Sequence, residues 1–119
     1  MDRLLAGRRV LVVEDEMMIL MMIEDMLADL GCEAVIVAAT ADEAVTLIEE
    51  QVFHAAMVDL NLNGEDSYVV ADALIARGVP FVFSTGSSAL RDNYRDHPVL
   101  KKPYSDARLA EALGRLLSR

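Results

Sequence analysis

The sequence predicts an α/β protein with a (βα)₅ architecture, in which a five-stranded parallel sheet carries helices on both faces. Short apolar runs rich in β-branched residues alternate with helix-forming segments along the 119 residues, and polar residues follow the carboxyl ends of these runs. Alternating strands and helices need right-handed crossovers, which place helices on both faces of a parallel sheet. We therefore expect residues 1–119 to form a single domain with one core.

Five short apolar runs are predicted to be the strands of the sheet. Their hydrophobicity is continuous rather than alternating, which is typical of strands that helices cover on both faces. The predicted strands span residues 10–13, 34–38, 55–60, 81–85 and 99–101. We expect the doubly wound, flavodoxin-like strand order 2-1-3-4-5, in which the third strand lies at the centre of the sheet.

Capping residues mark the ends of the predicted helices. Gly31 and Gly78 stand where helix ends are expected, because glycine readily adopts the left-handed conformation that ends many helices. Thr40 is expected to cap the second helix, with Glu43 three residues later as its partner in a capping box. The other predicted helices span residues 16–30, 69–76 and 106–117, the last of them amphipathic.

Two segments lack this regularity. Residues 61–64 are a cluster of turn-forming residues after the third strand. Residues 86–97 are mostly polar, with Ala89, Leu90 and Tyr94 as their few apolar positions. We therefore expect the fourth helix to be short or irregular.

Composition limits the class of partner and the compartment. The formal charge of −9 is spread along the chain, so a nucleic acid or an anionic membrane would be repelled, whereas a cation or a protein is a suitable partner. Cys32 is the only cysteine, which excludes an internal disulfide and favours a reducing, cytoplasmic compartment. The longest apolar stretch, residues 17–23, is far shorter than the roughly 20 residues that a membrane span needs.

Charged and hydroxyl side chains follow the carboxyl ends of the predicted strands. In open doubly wound sheets, ligands bind outside this edge. The side chains concerned are Glu14, Asp15, Asp59, Ser84, Thr85, Lys101 and Lys102. Any one of the acids alone is best explained as a solvated turn residue, but their joint placement favours a shared site.

Three carboxylates at one edge of a sheet indicate a cation. Carboxylates close together repel one another unless a positive charge lies between them. Mg²⁺ suits an all-oxygen donor set better than Zn²⁺, which prefers histidine and cysteine. The sequence therefore predicts a Mg²⁺ site.

Phosphoryl transfer is the chemistry that this set of side chains favours. A carboxylate can attack phosphorus and form an acyl phosphate if the charge on the equatorial oxygens is stabilised. Asp59 is the predicted nucleophile because it ends the central strand, whereas Glu14 and Asp15 are better placed as metal ligands. The Lys102 ammonium and the Thr85 hydroxyl would each pair with a phosphoryl oxygen. The alternatives are that Thr85 caps a turn and that Lys102 is a surface charge.

Four short motifs, in this order, resemble those of response-regulator receiver domains. They are Val-Val-Glu14-Asp15-Glu, Met-Val-Asp59-Leu-Asn61, Ser84-Thr85-Gly86 and Lys102-Pro103-Tyr104. Each motif alone is weak, whereas the four together are strong, and the resemblance covers residues 8–117. It implies a cytoplasmic module of two-component phosphorelay signalling that accepts a phosphoryl group. Such a module is not an enzyme beyond promoting its own phosphorylation and slow dephosphorylation.

The resemblance implies a role for each matching residue. Asp59 matches the phosphoacceptor, and the implied phosphodonor is a histidine kinase or a phosphotransfer protein. Asp15 matches a direct Mg²⁺ ligand and Glu14 a ligand through water. Asp59 and the backbone carbonyl of Asn61 complete the implied ligand set.

Two further features follow from the same resemblance. Thr85 and Lys102 match the pair that senses the phosphoryl group, and the choice of Lys102 over Lys101 rests on this match. The peptide bond between the lysine and the following proline is usually cis in the family, which makes Lys102-Pro103 a candidate cis bond.

The chain also departs from the family pattern. Asn63 stands where many receivers have a proline four residues after the acceptor, so the loop is expected to have a different shape. Val99 replaces the aromatic residue expected three positions before the lysine. Rotation of a ring beneath the threonine therefore cannot relay phosphorylation, and we expect the output to work differently.

Several runs are similar to the FATGUY subgroup of receivers. They are residues 83–86, 61–65 and 98–103, although Ser84, Ser87 and Ser88 depart from the fuller motif of that subgroup. The similarity implies alphaproteobacterial stress signalling with HWE-type histidine kinases.

The first predicted helix is unusually apolar. Five of the seven methionines lie in it: Met17, Met18, Met21, Met22 and Met26. A helix on a sheet buries only part of its circumference, so some of them must reach the surface, where methionine adapts well to partners. We expect this helix to dock the histidine kinase or phosphotransfer protein. The alternative is a core helix with two exposed methionines.

Three functions remain in competition. A stand-alone phosphoaccepting receiver, which passes its signal to an unidentified downstream protein, is favoured because no output domain follows the last predicted helix. A degenerate receiver that binds partners without phosphorylation is the alternative, motivated by Val99 and the altered loop. A small aspartate-nucleophile phosphatase ranks last, because Asn61 stands where a second acid would be needed.

Overall fold

Strands and helices alternate along the chain, as the sequence predicts. The computed structural model describes residues 4–86 and 90–118. The strands of the main sheet are β1 (Arg9–Val13), β2 (Ala34–Ala38), β3 (Ala55–Asp59), β4 (Phe81–Thr85) and β5 (Val99–Lys101). The helices are α1 (Met17–Asp29), α2 (Ala41–Glu50), α3 (Tyr68–Ala76) and α4 (Asp106–Leu117).

The five strands form one parallel sheet in the order β2-β1-β3-β4-β5. This order confirms the predicted arrangement 2-1-3-4-5 and the doubly wound α/β fold. A hydrophobic core lies on each face of the sheet. One core contains Leu11, Val58 and Phe83, and the other contains Val12, Met57 and Val82, so neighbouring residues of each strand point into opposite cores.

The predicted caps are present. Thr40 Oγ1 accepts the Glu43 N–H at 3.1 Å, and Glu43 Oε1 accepts the Ala39 N–H at 2.7 Å, so α2 begins in a reciprocal capping arrangement. Gly31 and Gly78 follow α1 and α3 with φ of 84° and 69°, which are values that glycine adopts with little strain. Both helix ends were therefore correctly predicted.

The segment between β4 and β5 is irregular, as expected. Among its described residues, 86 and 90–98, the one helical element is a 3₁₀ turn at Asp92–Tyr94. Its apolar Leu90 and Tyr94 pack against the core that contains Phe83. Ala89, Ser87 and Ser88 lie outside the described residues.

The turn after β3 belongs to a hairpin that the sequence analysis did not predict. Asn61–Leu62 pairs antiparallel with Glu65–Asp66. The two residues between them, Asn63 and Gly64, have φ of 52° and 89°, which is the geometry of the Asn-Gly turn common in hairpins. Two-residue strands are too short to show a hydrophobic period, so only the Asn-Gly pair could have indicated them.

Four methionines of α1 are exposed to solvent, two more than in the alternative of a core helix with two exposed methionines. Met17, Met18, Met21 and Met22 are 68, 80, 58 and 56% exposed, while Met26 is partly buried. Leu20, Ile23 and Leu27 form the buried face of the helix. No helix in the described part of the chain is long and apolar enough to cross a membrane.

Candidate functional site

Three carboxylates meet at the carboxyl edge of the sheet. Glu14 and Asp15 follow β1, and Asp59 ends the neighbouring strand β3. Carboxylate oxygens of the three residues all lie within 4.8 Å of one another. Glu14 and Asp59 are buried, and Asp15 is the most exposed of the three. The parallel pairing of two central strands thus brings Asp59 next to two acids that precede it by 44 and 45 residues.

Lys102 supplies the positive charge nearest to these acids. Its Nζ lies 3.1 Å from Glu14 Oε1 and 3.0 Å from Asp59 Oδ2. The Lys102 N–H donates to the Thr85 carbonyl at 2.8 Å, which continues the pairing of β5 with β4 by one residue. The Lys102-Pro103 peptide bond is cis, as the resemblance implied. Lys101, in contrast, is exposed on β5.

Burial and charge set the proton affinity of the site. Burial raises the pKa of Glu14 above its ordinary value of 4.5, and the nearby Asp59 charge adds to the rise, although the Glu16 N–H and Lys102 oppose it. Burial lowers the pKa of Lys102, but its hydrogen bonds and charge interactions with Asp59 and Glu14 outweigh that effect and the net pKa is raised. Lys102 is therefore firmly cationic.

The donor set fits a small divalent cation. With the three carboxylates ionised and Lys102 protonated, the site keeps an excess of two negative charges. The facing donors are carboxylate oxygens, and the cluster contains neither histidine nor cysteine. Hard oxygen ligands and a partly open cleft suit Mg²⁺, which retains several waters when bound.

Two hydrogen bonds hold Asp59, one to its carboxylate and one to its main-chain carbonyl. The Asn61 N–H donates to Asp59 Oδ1 at 3.1 Å. The Ser67 hydroxyl donates to the Asp59 carbonyl oxygen at 2.6 Å, and Ser67 is fully buried. This role of Ser67 could not be predicted from the sequence, because a serine before a helix is ordinarily assigned to capping. The Ser67 side chain makes no capping hydrogen bond in α3.

The hairpin and the residue that follows β4 border the cleft that contains Asp59. Asn61 Oδ1 accepts the Gly64 N–H at 2.8 Å, which closes the loop on itself. Thr85 is buried at the end of β4, and Ser84, also buried, pairs in register with Asp59. The cleft is lined by Asp15, Glu16, Asp59, Asn61, Asn63, Gly86 and Lys102.

Comparisons with known proteins agree with this geometry. A family model described as the response regulator receiver domain matches residues 10–114. The solution structure of SdrG from Sphingomonas melonis Fr1 is 43% identical, with a TM-score of 0.83, and the match covers 92% of this chain and 96% of SdrG. No curated protein matches the chain.

Two further solved structures resemble the chain. The receiver domain of the sensor histidine kinase PA1611 from Pseudomonas aeruginosa PAO1, with a magnesium ion coordinated in its active site cleft, is 30% identical. Its TM-score is 0.82, and the match covers 96% of this chain and 100% of that domain. The anti-anti-sigma factor PhyR from Bartonella quintana is 26% identical with a TM-score of 0.78, and 93% of this chain matches 47% of PhyR.

Proposed function

The chain belongs to the response regulator receiver family of two-component signalling, and on that premise we propose that Asp59 accepts a phosphoryl group from a histidine kinase or a phosphotransfer protein. Receiver domains are phosphoacceptors rather than enzymes. We further propose that residues 1–119 act as one receiver domain. The observation that carries the proposal is the contact of Lys102 with both Asp59 and Glu14 inside the acidic cluster.

In the proposed reaction, a carboxylate oxygen of Asp59 attacks the phosphorus atom of a phosphohistidine. The new P–O bond forms as the P–N bond breaks, and the leaving histidine nitrogen keeps the electron pair and takes up a proton. Lys102 starts 3.0 Å from Asp59 Oδ2, so its ammonium needs little movement to pair with a phosphoryl oxygen. The Thr85 hydroxyl is proposed to donate a hydrogen bond to another oxygen. Such preorganised donors stabilise the charge of the transition state.

Glu14, Asp15, Asp59 and the backbone carbonyl of Asn61 are the residues that would hold Mg²⁺. When bound, the ion supplies positive charge to the phosphoryl oxygens. The excess negative charge of the cluster and its all-oxygen donors support this assignment. The magnesium ion described for the PA1611 receiver domain supports it as well.

The exposed methionines of α1, Met17, Met18, Met21 and Met22, support the proposal that the phosphodonor docks on this helix. The exposed Met22 also lines an apolar cleft of about 390 Å³ beside Lys102. The other residues that line it are Ile19, Ile23, Met26, Pro103 and Tyr104. The buried Tyr104 hydroxyl makes no hydrogen bond within the described part of the chain. We propose that a helix of the phosphodonor fills this cleft with an apolar side chain.

The likeness to SdrG and to about half of PhyR bears on the downstream partner. PhyR of Bartonella quintana is an anti-anti-sigma factor. We propose that the output of this chain is likewise a protein–protein contact in a sigma-factor pathway, in line with the implied alphaproteobacterial stress signalling.

Intact mass after incubation with acetyl phosphate tests the proposed function. The wild type is expected to gain the mass of one phosphoryl group in the presence of Mg²⁺ and none with EDTA. Asp59→Asn should gain nothing, whereas Asp29→Asn, which removes an exposed acid at the end of α1, should behave as wild type. No gain from acetyl phosphate or from a phosphorylated donor protein would favour a receiver that binds partners without phosphorylation.

A further inference from the structure

Because β5 carries no aromatic residue at Val99, a rotating ring there cannot transmit phosphorylation to a partner. Aromatic side chains are concentrated beside β4 instead. Val99, the first residue of β5, is 42% exposed and carries no ring. On β4, Phe83 lies two residues before Thr85, so the alternation of side chains places both on the same face of the strand. Phe83 packs there against Tyr68 and Tyr94 at ring-centroid distances of 5.7 and 5.5 Å. The aromatic contacts next to Thr85 therefore connect β4 to α3 and to the 3₁₀ turn.

Arg91 makes two contacts with Tyr68 of this aromatic cluster and a third with Asp66 of the hairpin. Its guanidinium lies over the Tyr68 ring, with Cζ 4.2 Å from the centroid. The Arg91 backbone N–H donates to the Tyr68 hydroxyl at 2.9 Å. Its Nη2 lies 3.0 Å from Asp66 Oδ2. One residue of the segment after β4 thus contacts both the first residue of α3 and the hairpin that follows β3.

Both of these partners are tied to Asp59. Tyr68 follows Ser67, whose hydroxyl bonds the Asp59 carbonyl and whose N–H bonds the Leu60 carbonyl. Asp66 pairs in register with Asn61, and the Asn61 N–H donates to the Asp59 carboxylate. Two short paths therefore connect Asp59 to Arg91, one from the Asp59 main-chain carbonyl through the start of α3 and one from the Asp59 carboxylate through the hairpin.

We infer that Arg91 is a positioning residue that couples the state of Asp59 to residues 90–97, by clamping this segment to Tyr68 and Asp66. The inference rests on the proposed function, since it concerns how phosphorylation at Asp59 is transmitted. It names the element that replaces the aromatic ring absent at Val99.

The side-chain contacts of Arg91 with Asp66 and Tyr68 are weak enough for phosphorylation to rearrange them. The Arg91 and Asp66 side chains are 59 and 53% exposed, and solvent-exposed ion pairs and cation–π contacts are individually weak. Phosphorylation replaces the single carboxylate charge of Asp59 by a phosphoryl group with roughly 1.5–2 negative charges, a net gain of about 0.5–1 negative charge. It also changes the oxygens available to the Asn61 N–H and to Lys102. Contacts that are weak and directly linked to the modified residue are the ones that such a change can rearrange.

Hydrogen exchange of the amides in residues 90–97 tests the coupling, with intact mass recorded on the same samples before and after acetyl phosphate and Mg²⁺. The test variants are Arg91→Ala, which removes the two side-chain contacts of the clamp, and Tyr68→Phe, which keeps the ring and removes the hydroxyl that accepts the Arg91 backbone N–H. Arg95→Ala is the matched control, because it removes an exposed arginine from the same segment. Thermal unfolding of each variant verifies that it is folded.

In the wild type and in Arg95→Ala, phosphorylation is expected to change exchange in residues 90–97 by about fivefold or more, as expected for a local opening controlled by weak contacts. Arg91→Ala should gain the phosphoryl group at a similar rate and lose most of this response, and Tyr68→Phe should lose part of it. A purely structural role would alter exchange equally before and after phosphorylation.

The two measurements separate the possible failures. A full response of residues 90–97 in Arg91→Ala, or no response in a phosphorylated wild type, would overturn the inference and leave the proposed function intact. A wild-type chain that gains no phosphoryl mass would contradict the proposed function and the coupling with it.

Discussion

The Lys102 ammonium lies 3.0 Å from the Asp59 carboxylate, although the two residues are 43 positions apart in sequence. Parallel pairing of β3, β4 and β5 brings the ends of these strands to one edge, and Lys102 follows the last of them. Because the Lys102 side chain is only 20% exposed, this contact is shielded from solvent more than an ordinary surface ion pair.

Replacing Lys102 by alanine is expected to slow phosphorylation of Asp59. The ammonium is the preorganised donor closest to the proposed phosphoryl position, and removing such a donor typically costs about 10²–10³-fold in rate. The rate of mass gain from acetyl phosphate at saturating Mg²⁺ measures the effect. Lys101→Ala removes an exposed lysine one residue away and should keep the wild-type rate. Equal rates for the two variants would contradict the assigned role of Lys102.

The buried Glu14 carboxyl predicts a specific dependence of stability on pH in the absence of metal. Burial and the Asp59 charge raise its folded-state pKa above 4.5. A carboxyl with a raised folded-state pKa stabilises the fold below its unfolded-state value and loses that contribution as the pH rises through the raised value. Glu14→Gln mimics the protonated form and does not titrate. We therefore expect the wild type to lose stability relative to Glu14→Gln as the pH rises above 4.5.

Urea unfolding of both proteins in EDTA, from about pH 4.5 to about pH 7.5, measures this difference across the range in which the raised carboxyl titrates. If the stability difference stays constant over the range, Glu14 does not titrate as its environment predicts. Added Mg²⁺ should reduce the difference, because the ion favours the ionised carboxylate that glutamine lacks.

Polar substitution of the exposed methionines is expected to slow transfer from a phosphodonor protein. Met18→Gln and Met22→Gln should each lower kcat/KM, and the double variant by about tenfold or more if the two lie at the centre of the interface. Val52→Gln is the control, since Val52 is 78% exposed and lies outside α1. Phosphorylation by acetyl phosphate should remain unchanged in every variant. Wild-type transfer rates in the double variant would exclude α1 as the docking surface.

Backbone conformation predicts opposite effects of alanine at Gly64, in the hairpin turn, and at Gly114, inside α4. Gly64 has φ of 89°, and a Cβ added there would meet only open space, so Gly64→Ala should cost about 1 kcal/mol through the backbone alone. Gly114 lies inside α4, where a Cβ would meet Leu4 only at ordinary contact distances. Gly114→Ala should therefore stabilise the fold by up to about 1 kcal/mol. Urea unfolding measures the free energy of unfolding of both variants. A Gly64→Ala variant more stable than the wild type would contradict the described turn.

Most of the fold was predictable because its signals are local. Continuous apolar runs marked the strands to within one residue at either end, and Thr40, Gly31 and Gly78 marked helix ends. The hairpin at residues 61–66 was not predicted, since its stability depends on a two-residue turn and on a few backbone pairs rather than on a hydrophobic pattern.

The site was predictable to the extent that strand order is predictable. Once β1 and β3 are neighbours, Glu14, Asp15 and Asp59 must converge, and the structure brings them together. Contacts between side chains distant in sequence could not be predicted in this way. Ser67 on the Asp59 carbonyl and Arg91 on Tyr68 depend on the path of irregular segments, for which the sequence carries no periodic signal.

The most direct test of the account is to locate the phosphoryl group on the chain. After incubation with acetyl phosphate and Mg²⁺, borohydride reduces an aspartyl phosphate to homoserine, and peptide mass spectrometry identifies the reduced position. We expect reduction at Asp59 alone, and none when Mg²⁺ is withheld. Reduction at Asp15 or Glu14, or equal labelling with and without Mg²⁺, would contradict the claim that Asp59 is the phosphoacceptor of a metal-dependent receiver.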